Sequence, residues 1–345
     1  MNIETFCGAL LTWFDGNKRD MPWRRNKDPY GIWVSEVMLQ QTRVDTVIPY
    51  YERFMAHYPT VEALAEAPEE AVLKDWEGLG YYRRAGNLQR GARYVLENHG
   101  GRIPRDYEAI RRVPGIGDYT AGAILSIAYN LPVPAVDGNV VRVMARLTGT
   151  YWTAADKGPV RAALEPLMDR QRPGSFTESM MELGAVICTP KNPRCLACPV
   201  QRECQAFQLG IADELPVKVQ KGEIPVETYT VLVLTSEALI YLQKRPEGLL
   251  RGLWEYFVVP GFLEPRDAEE LVEGWGCQVF SLEDWGKARH VFTHKRWSML
   301  GYRMRLDGRP NLPGEWLTLP EYGERAIPSA YQHYTEKLKQ EIWER

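Results

Sequence analysis

The sequence predicts a mainly α N-terminal domain followed by a smaller α+β C-terminal domain. Apolar residues recur at helical spacing through most of the first domain, whereas the second alternates β-rich segments with short helical ones. A polar stretch without a helical face separates the two. We therefore predict domains at residues 1–213 and 227–345, joined by a linker at 214–226.

The composition is that of a globular protein, because 45% of the 345 residues are hydrophobic and 25% are charged. No run approaches the ~18 to 20 apolar residues of a membrane span, and the N-terminus lacks the cationic start of a signal peptide. With a net charge of −3, a nucleic-acid binder must carry its positive charge on one face. Cys7 and Cys277 stand apart from a tight cluster of four cysteines, which suggests a reducing compartment, hence the cytoplasm.

Residues 111–124 read RRVPGIGDYTAGAI and predict two helices joined by a tight glycine turn. We expect Asp118 to cap the second helix, over about residues 119–128. Gly115 and Gly117 bring backbone N–H groups close to the outside, and the new helix adds the positive end of its dipole. A phosphate is the natural ligand of such a turn, although the same turn is common without one.

Two acidic residues are candidates for catalysis. Glu36 lies in a predicted helix, and its neighbours three and four positions away are largely apolar. Burial would raise its pKa, as a general acid near neutral pH requires. The alternative is a packed stem whose carboxylate reaches water. Asp137 stands at a helix start after an apolar run, where it is either an N-cap or a catalytic carboxylate.

Two turns carry aromatic and cationic side chains together. The first contains Trp23 and Arg24 and could line a pocket for a flat base, although such a turn is usually plain surface. The second, WEGLGYYRR at residues 76–84, resembles what an enzyme needs to fill the gap left by an extruded base. A turn buried against the next helix is the alternative. The candidate wedges and phosphate ligands of this loop are Leu79, Tyr81, Arg83 and Arg84.

Four cysteines follow a later helix with the spacing Cys188-x6-Cys195-x2-Cys198-x5-Cys204. Four thiolates from one loop suit a 4Fe-4S cluster. Structural zinc usually joins two short Cys-x2-4-Cys pairs and this loop has only one, so zinc is the less favoured alternative.

The second domain has the pattern of an α+β fold. The predicted elements are strands at 229–234, 238–243 and 297–304, a short helix at 267–275, and a closing helix at 330–343. A polar loop, HVFTHK at residues 290–295, is flanked by strand.

Five segments together resemble MutY-type adenine DNA glycosylases of the helix-hairpin-helix superfamily, over nearly the whole chain. They are SEVMLQQT, WEGLGYYRRA, VPGIGDYTAGAI, VDGN and the cysteine loop at 188–204. Each is unspecific alone, but the set is specific. The resemblance implies a helix-hairpin-helix domain of two helical lobes that carries the 4Fe-4S cluster, followed by a Nudix-like domain.

The resemblance also implies the reaction, which is removal of adenine mispaired with 8-oxoguanine or guanine in duplex DNA. Glu36 would protonate the adenine at N7, and Asp137 would stabilise the positive sugar, as two carboxyl groups do in a retaining glycosidase. The other implied site residues are Tyr119 and Asn139 beside the acids, Trp23, Arg24 and Glu178 in the adenine pocket, Gln41, Leu79 and Tyr81 in loops that enter the duplex, and Gly115 and Gly117 at a phosphate.

One position separates two kinds of relative. Members that resemble endonuclease III carry a lysine two residues after the second hairpin glycine, and that lysine forms a Schiff base and cuts the strand. The residue here is Tyr119, which cannot do so. We therefore predict a monofunctional glycosylase, with an endonuclease III-like glycosylase and AP lyase as the alternative.

The C-terminal domain resembles the Nudix fold, yet its helix DAEELVEG lacks the Arg-Glu-x-x-Glu-Glu pattern that holds magnesium. The resemblance instead implies a sensor for 8-oxoguanine, with Phe292, Thr293 and His294 as the recognition loop. Many relatives have serine where Thr293 stands. A non-catalytic DNA-binding protein, or a Nudix hydrolase with a helical arm, is a further alternative. We expect a monomer that acts on duplex DNA of the bacterial nucleoid, without a membrane partner.

Overall fold

The computed structural model describes residues 2–218 and 222–343. We call its two compact units the helical unit and the sheet unit. They are Met1–Ala67 with Gly86–Gln220, and Pro68–Ala85 with Lys221–Arg345. The loop at 76–84 therefore groups with the C-terminal part of the chain. The predicted linker at 214–226 includes residues 219–221, which lie outside the described residues.

The described residues before 219 are helices, turns and connecting loops. The α-helices are α1 (Ile3–Asn17), α2 (Pro29–Leu39), α3 (Val44–His57), α4 (Val61–Glu66), α5 (Glu69–Asp75), α6 (Arg83–His99), α7 (Tyr107–Arg111), α8 (Asp118–Ile127), α9 (Gly138–Thr148), α10 (Lys157–Leu164), α11 (Pro173–Val186) and α12 (Gln205–Leu209). No helix of the described chain is long and apolar enough to cross a bilayer.

Local capping explains several helix starts. The Asn2 side chain accepts the Thr5 N–H at 3.1 Å, and the Asp28 side chain accepts the N–H groups of Tyr30 and Gly31. Such side chains satisfy backbone donors that have no partner within the helix. Asn2 and Asp28 are residue types that favour the N-cap position, and they mark the starts of α1 and α2.

The expected start of the second hairpin helix was wrong. Asp118 is the first residue of α8, and Gly117 holds the N-cap position. The Asp118 carboxylate does not cap the helix because it pairs with Arg111, whose Nε lies 2.6 Å away.

The core of the helical unit positions the elements that carry the site. Helices α1, α9 and α11 share one apolar cluster that includes Phe6, Val140, Val143 and Met180. Helix α2 is different, since every residue from Tyr30 to Met38 is buried. A charged side chain in this part of α2 therefore has no exposed helix face along which it could reach solvent.

The sheet unit is built on one mixed sheet. Its strands are β1 (Val226–Ser236), β2 (Leu239–Lys244), β3 (Trp254–Glu255), β4 (Phe257–Pro260), β5 (Val279–Val291), β6 (Arg296–Leu306) and β7 (Glu315–Leu317). The main order is β3-β2-β1-β6-β5, with β4 paired to β1 and β7 to β2. Strands β1 and β6 are parallel and the other pairs are antiparallel. Helix α13 (Pro265–Glu273) lies between β4 and β5 along the chain, and α14 (Leu319–Glu324) and α15 (Gln332–Trp343) follow β7.

Alternate residues of the central strands feed two separate apolar clusters. Val231 and Val233 of β1 enter one cluster, and Leu232 and Leu234 enter the other. The expected strands and the helix at 267–275 are present, but β5 was not expected. Its exposed positions carry charges that interrupt the apolar pattern, and pairing with β6 is what orders it. His290 and Val291 therefore lie in this strand and not in the loop.

Candidate active site

The predicted hairpin joins α7 to α8. Gly115 has a φ of +84°, and a Cβ added there would lie 2.8 Å from the Cβ of Asn87. Tyr107 donates its hydroxyl proton to Asp118 Oδ1 at 2.9 Å, and Arg111 donates to the carbonyl of Ile116 at 3.0 Å. Side chains therefore hold the hairpin closed and leave its glycine turn exposed.

A cavity of about 660 Å³ opens beside this hairpin, within the helical unit. Its volume is in the range of small-molecule sites, and α2, α8, α9, α10 and α11 all contribute to its wall. The predicted site residues that line it are Trp23, Arg24, Glu36, Gln41, Gly115, Gly117, Tyr119, Asp137, Asn139 and Glu178. Glu36 and Asp137, which are remote in sequence, thus share one cavity.

Glu36 is buried, with 5% of its surface exposed. Desolvation, together with the negative charges of Asp137 and Glu178, raises the pKa of its carboxyl group to about 7. The Tyr119 hydroxyl donates to Glu36 Oε2 at 2.5 Å and opposes the shift. Near neutral pH, Glu36 is therefore divided between a form that can donate a proton and one that cannot.

Asp137 is a helix N-cap, and the same carboxylate also reaches the cavity. It is the N-cap of α9, where Oδ1 accepts the Val140 N–H at 2.7 Å, and it also lines the cavity. Its Oδ2 accepts from Asn139 Nδ2 at 3.0 Å. Asn139 is held in turn by Arg142, whose guanidinium donates to the Asn139 side-chain oxygen at 2.9 Å. The Asp137 carboxylate is therefore oriented by its own helix.

The proposed base pocket has an aromatic wall and a cationic one. Trp23 is buried and meets the Tyr51 ring edge-on at 5.3 Å. Arg24 stacks 5.4 Å from the Phe14 ring and pairs with Glu178 Oε1 at 3.1 Å. Burial raises the pKa of Glu178, and the positive charge of Arg24 works against it. These contacts fix the orientation of the Arg24 guanidinium at the cavity.

Arg19 and Glu182 line the same cavity, although neither was expected there from the sequence. The Glu182 side chain is 1% exposed and accepts from Arg19 Nε at 2.6 Å and Arg24 Nη2 at 2.9 Å. Burial would raise the pKa of Glu182, but its hydrogen bonds and ion pairs with both arginines outweigh burial and lower it. The spacing could have indicated Glu182, because it is four residues from Glu178 and therefore lies on the same face of the helix.

The loop at 76–84 lies in the sheet unit, and the structure corrects two expectations about it. Leu79 is 5% exposed, so it is not the exposed aliphatic residue that was expected, whereas Tyr81 is 49% exposed. Arg84 is buried and its Nη2 donates to the carbonyls of Leu79 and Gly80 at 3.3 and 3.0 Å, so it holds the loop and not a phosphate. Burial lowers the pKa of Arg84 to about 10.

The same unit contains the loop that follows β5. The Thr293 hydroxyl is 2.9 Å from the Tyr81 hydroxyl. The Phe292 ring packs between His290 and Trp297, at 4.5 and 4.8 Å. Thr293 and His294 are exposed. Two loops that are remote in sequence therefore present adjacent hydroxyl groups.

The four clustered cysteines line one small cavity of about 30 Å³ behind the end of α11. All six cysteines of the chain are free of disulfide bonds. Burial, together with the neighbouring cysteines, raises the pKa of Cys198 to about 12. Arg146 Nη1 lies 3.3 Å from Cys188 Sγ. Within the described residues, no three Cys, His, Asp or Glu side chains are placed to hold a single metal ion.

Comparisons with known proteins agree with this architecture. Residues 34–169 match the model of the HhH-GPD superfamily of base excision DNA repair proteins, and residues 229–337 match that of the NUDIX domain. A thermostable thymine-DNA glycosylase of known structure is 30% identical and covers 60% of this chain and 97% of its own, with a TM-score of 0.57.

Two curated relatives match over most of their length. The adenine DNA glycosylase of Rattus norvegicus is 35% identical over 95% of this chain and 77% of its own. That of Buchnera aphidicola subsp. Baizongia pistaciae is 32% identical over 85% of this chain and 84% of its own. The chain therefore belongs to the adenine DNA glycosylase family of helix-hairpin-helix base excision repair proteins.

Proposed function

We propose that this protein removes adenine from A:8-oxoguanine and A:G pairs in duplex DNA, as a monofunctional glycosylase. The observation that carries the proposal is the pair of unlike carboxyl groups in one cavity. Glu36 is buried and has a pKa of about 7, and Asp137 is half-buried and oriented by hydrogen bonds. One acid can donate a proton while the other supplies negative charge.

The reaction begins when the adenine nucleotide leaves the stack and enters the cavity. Trp23 supplies an aromatic wall for the base, and Arg24 and Glu178 contact its polar edges. Arg19 and Glu182 hold Arg24 in place and add further polar groups to this wall. Binding in a fixed orientation brings N7 of the adenine to the Glu36 carboxyl group.

Glu36 then donates its proton to N7, which makes adenine a better leaving group, and the N-glycosidic bond breaks. The sugar becomes positively charged, and the Asp137 carboxylate stabilises it. Asn139 holds that carboxylate, and Tyr119 holds Glu36 through the 2.5 Å hydrogen bond. Water completes the hydrolysis, and the phosphates beside the lesion rest on Gly115 and Gly117.

We propose that Gln41, Leu79 and Tyr81 enter or support the space left by the adenine. Tyr81 is the more exposed of the two residues on the loop at 76–84, so it can insert without a change in that loop. Phe292, Thr293 and His294 then read the opposite base. The Thr293 and Tyr81 hydroxyls are 2.9 Å apart. The residue that fills the gap and the loop that reads the opposite base are therefore adjacent parts of one surface.

A single assay tests this function. The protein is incubated with a duplex that holds one adenine opposite 8-oxoguanine or guanine, and strand breakage is compared with and without hot alkali. Breakage only after alkali is expected, since Tyr119 has no amine to form a Schiff base. Breakage without alkali, with a borohydride-trapped adduct, would indicate the lyase alternative. No breakage with either pair would contradict the function altogether.

We further propose that Cys188, Cys195, Cys198 and Cys204 hold a 4Fe-4S cluster. Four sulfur ligands from one loop around one cavity fit this group, whereas structural zinc usually joins two short Cys-x2-4-Cys pairs and this loop has only one. A bound cluster would supply structural cross-linking of the loop. We expect about four iron and four acid-labile sulfide per chain and a brown colour. Stoichiometric zinc without sulfide would contradict this.

The protein would act as a monomer on chromosomal duplex DNA of a bacterial nucleoid. Its domain boundaries would lie at 1–213 and 227–345, with the linker between them.

A further inference from the structure

Helix α10 contributes two cations to the cavity that the proposed mechanism does not use. Lys157 and Arg161 both line it, and they are four residues apart, so they lie on one face of α10. Lys157 is exposed and Arg161 is half-buried. Neither contacts the acids that carry the chemistry in any hydrogen bond of the described residues.

Arg161 is held in a fixed position at the hairpin. Its guanidinium stacks 4.6 Å from the centre of the Tyr107 ring and donates to the Tyr107 hydroxyl at 2.6 Å. That hydroxyl donates its own proton to Asp118 Oδ1. Arg111 pairs with the same carboxylate at 2.6 Å. The chain of contacts places an ordered arginine beside the glycine turn, so little side-chain freedom remains to be lost on binding.

The charges around this position favour an anion. The Asp118 carboxylate is paired with Arg111, and within the described residues neither Arg161 nor Lys157 forms an ion pair of its own. The base itself is neutral, so these cations have no partner in it. In a nucleic acid, the groups that match a planar guanidinium and an ammonium are backbone phosphates.

We propose that Lys157 and Arg161 bind a second backbone phosphate of the strand that carries the extruded adenine, besides the one at Gly115 and Gly117. Tyr107 and Asp118 are positioning residues that keep Arg161 at this phosphate. The inference rests on the proposed function for the identity of the strand. Two fixed phosphates would hold the backbone bent outward and keep the nucleotide in the cavity.

The test combines protein variants with neutral linkages in the DNA. Binding is measured on duplexes whose target adenosine carries a 2′-fluoro sugar, since fluorine destabilises a positive sugar and prevents turnover. Single methylphosphonates replace each phosphate within three linkages of the adenosine. For the unaltered protein we expect one such linkage, apart from that at the glycines, to weaken binding about tenfold.

Arg161→Gln should weaken binding to the normal duplex about tenfold and reduce the salt dependence by about 0.9 in slope. At the linkage where the unaltered protein loses about tenfold, the variant should lose clearly less, since only Lys157 still contacts that phosphate, and at the other linkages it should lose as much as the unaltered protein. Lys157→Gln, at an exposed position where unfolding is not expected, should show the same linkage preference. Tyr107→Phe keeps the ring that Arg161 stacks on but removes the hydroxyl that it donates to, so it should weaken binding less than Arg161→Gln does.

Arg170→Gln is the matched control, since Arg170 is an exposed arginine that does not line the cavity. It should leave the linkage profile unchanged. Losses that simply add at every linkage, for both Arg161→Gln and Lys157→Gln, would overturn the inference. Adenine release from a normal substrate is followed separately. Its absence in the unaltered protein would contradict the proposed function while leaving the linkage result readable.

Discussion

Replacing Glu36 with glutamine is expected to lower the rate of adenine release at neutral pH by a factor of about 10² to 10⁴. Glutamine has nearly the same shape and can still accept the Tyr119 hydroxyl, so the cavity wall is kept. What it lacks is a proton that can be given to the adenine. The measurement is the single-turnover rate on an A:8-oxoguanine duplex, with the dissociation constant measured beside it. A variant that releases adenine at the original rate would end the assignment of Glu36 as the acid.

The pH dependence supplies the internal control. Glu36 acts when protonated, and its pKa is about 7, so kcat/KM of the unaltered protein should fall tenfold per pH unit above neutrality. The residual kcat/KM of Glu36→Gln should not fall above neutral pH in this way. Because the folded state binds this proton more tightly than the unfolded state, folding stability is lost as pH rises from about 4.5 to about 7.

The loss of folding stability with rising pH should disappear in Glu36→Gln. Glutamine cannot ionise, so Glu36→Gln should be more stable than the unaltered protein at pH 8, by about 3 kcal/mol at most. The free energy of unfolding from denaturant titrations at pH 5 and pH 8 measures this. A variant that is inactive and less stable at pH 8 would show that unfolding, and not the missing proton, explains its inactivity.

Asp137→Asn is expected to lower the rate of adenine release by a factor of about 10² to 10³ and to cost about 1 kcal/mol of stability. Asparagine is as good an N-cap as aspartate, so the hydrogen bond to the Val140 N–H can be kept, but its amide nitrogen cannot accept from Asn139 Nδ2 as Asp137 Oδ2 does. The negative charge that stabilises the sugar is lost. Single-turnover rates and thermal unfolding of the same preparation measure both quantities.

Asp137→Ala is the matched comparison. It removes both the charge and the cap, and should cost an additional ~0.5 to 2 kcal/mol of stability. Since the Asp137 charge raises the pKa of Glu36, the asparagine variant should also move the falling limb of its residual activity to lower pH. If Asp137 were only a cap, Asp137→Asn would be fully active and its pH profile unchanged.

The same two acids illustrate what can be predicted from sequence. Their candidacy was visible because the apolar neighbours of Glu36 and the helix start at Asp137 are local features. Whether Glu36 is a buried acid or a solvated one was left open. All of α2 is buried in the folded protein, and this decided the question. Desolvation is produced by residues that are distant in sequence, so no local pattern contains it.

Other features depended on tertiary structure in the same way. The partnership of Glu182 with Arg19 joins α11 to the turn after α1 across 163 positions. Leu79 has the composition of an exposed loop, yet it is buried because Arg84 folds the loop upon itself. The proximity of Tyr81 and Thr293 arises because residues 68–85 group with the sheet unit.

Local sequence was enough to predict the hairpin, the N-cap position of Asp137 and the spacing of the four cysteines. These follow from backbone conformations and hydrogen bonds within a few residues of one another. Only the folded chain shows which carboxyl groups share a cavity, which of them is buried enough for its pKa to rise to about 7, and which cations form no ion pair within the described residues. These are sums over neighbours in space, since solvation and Coulomb energies depend on distance and burial and not on order along the chain.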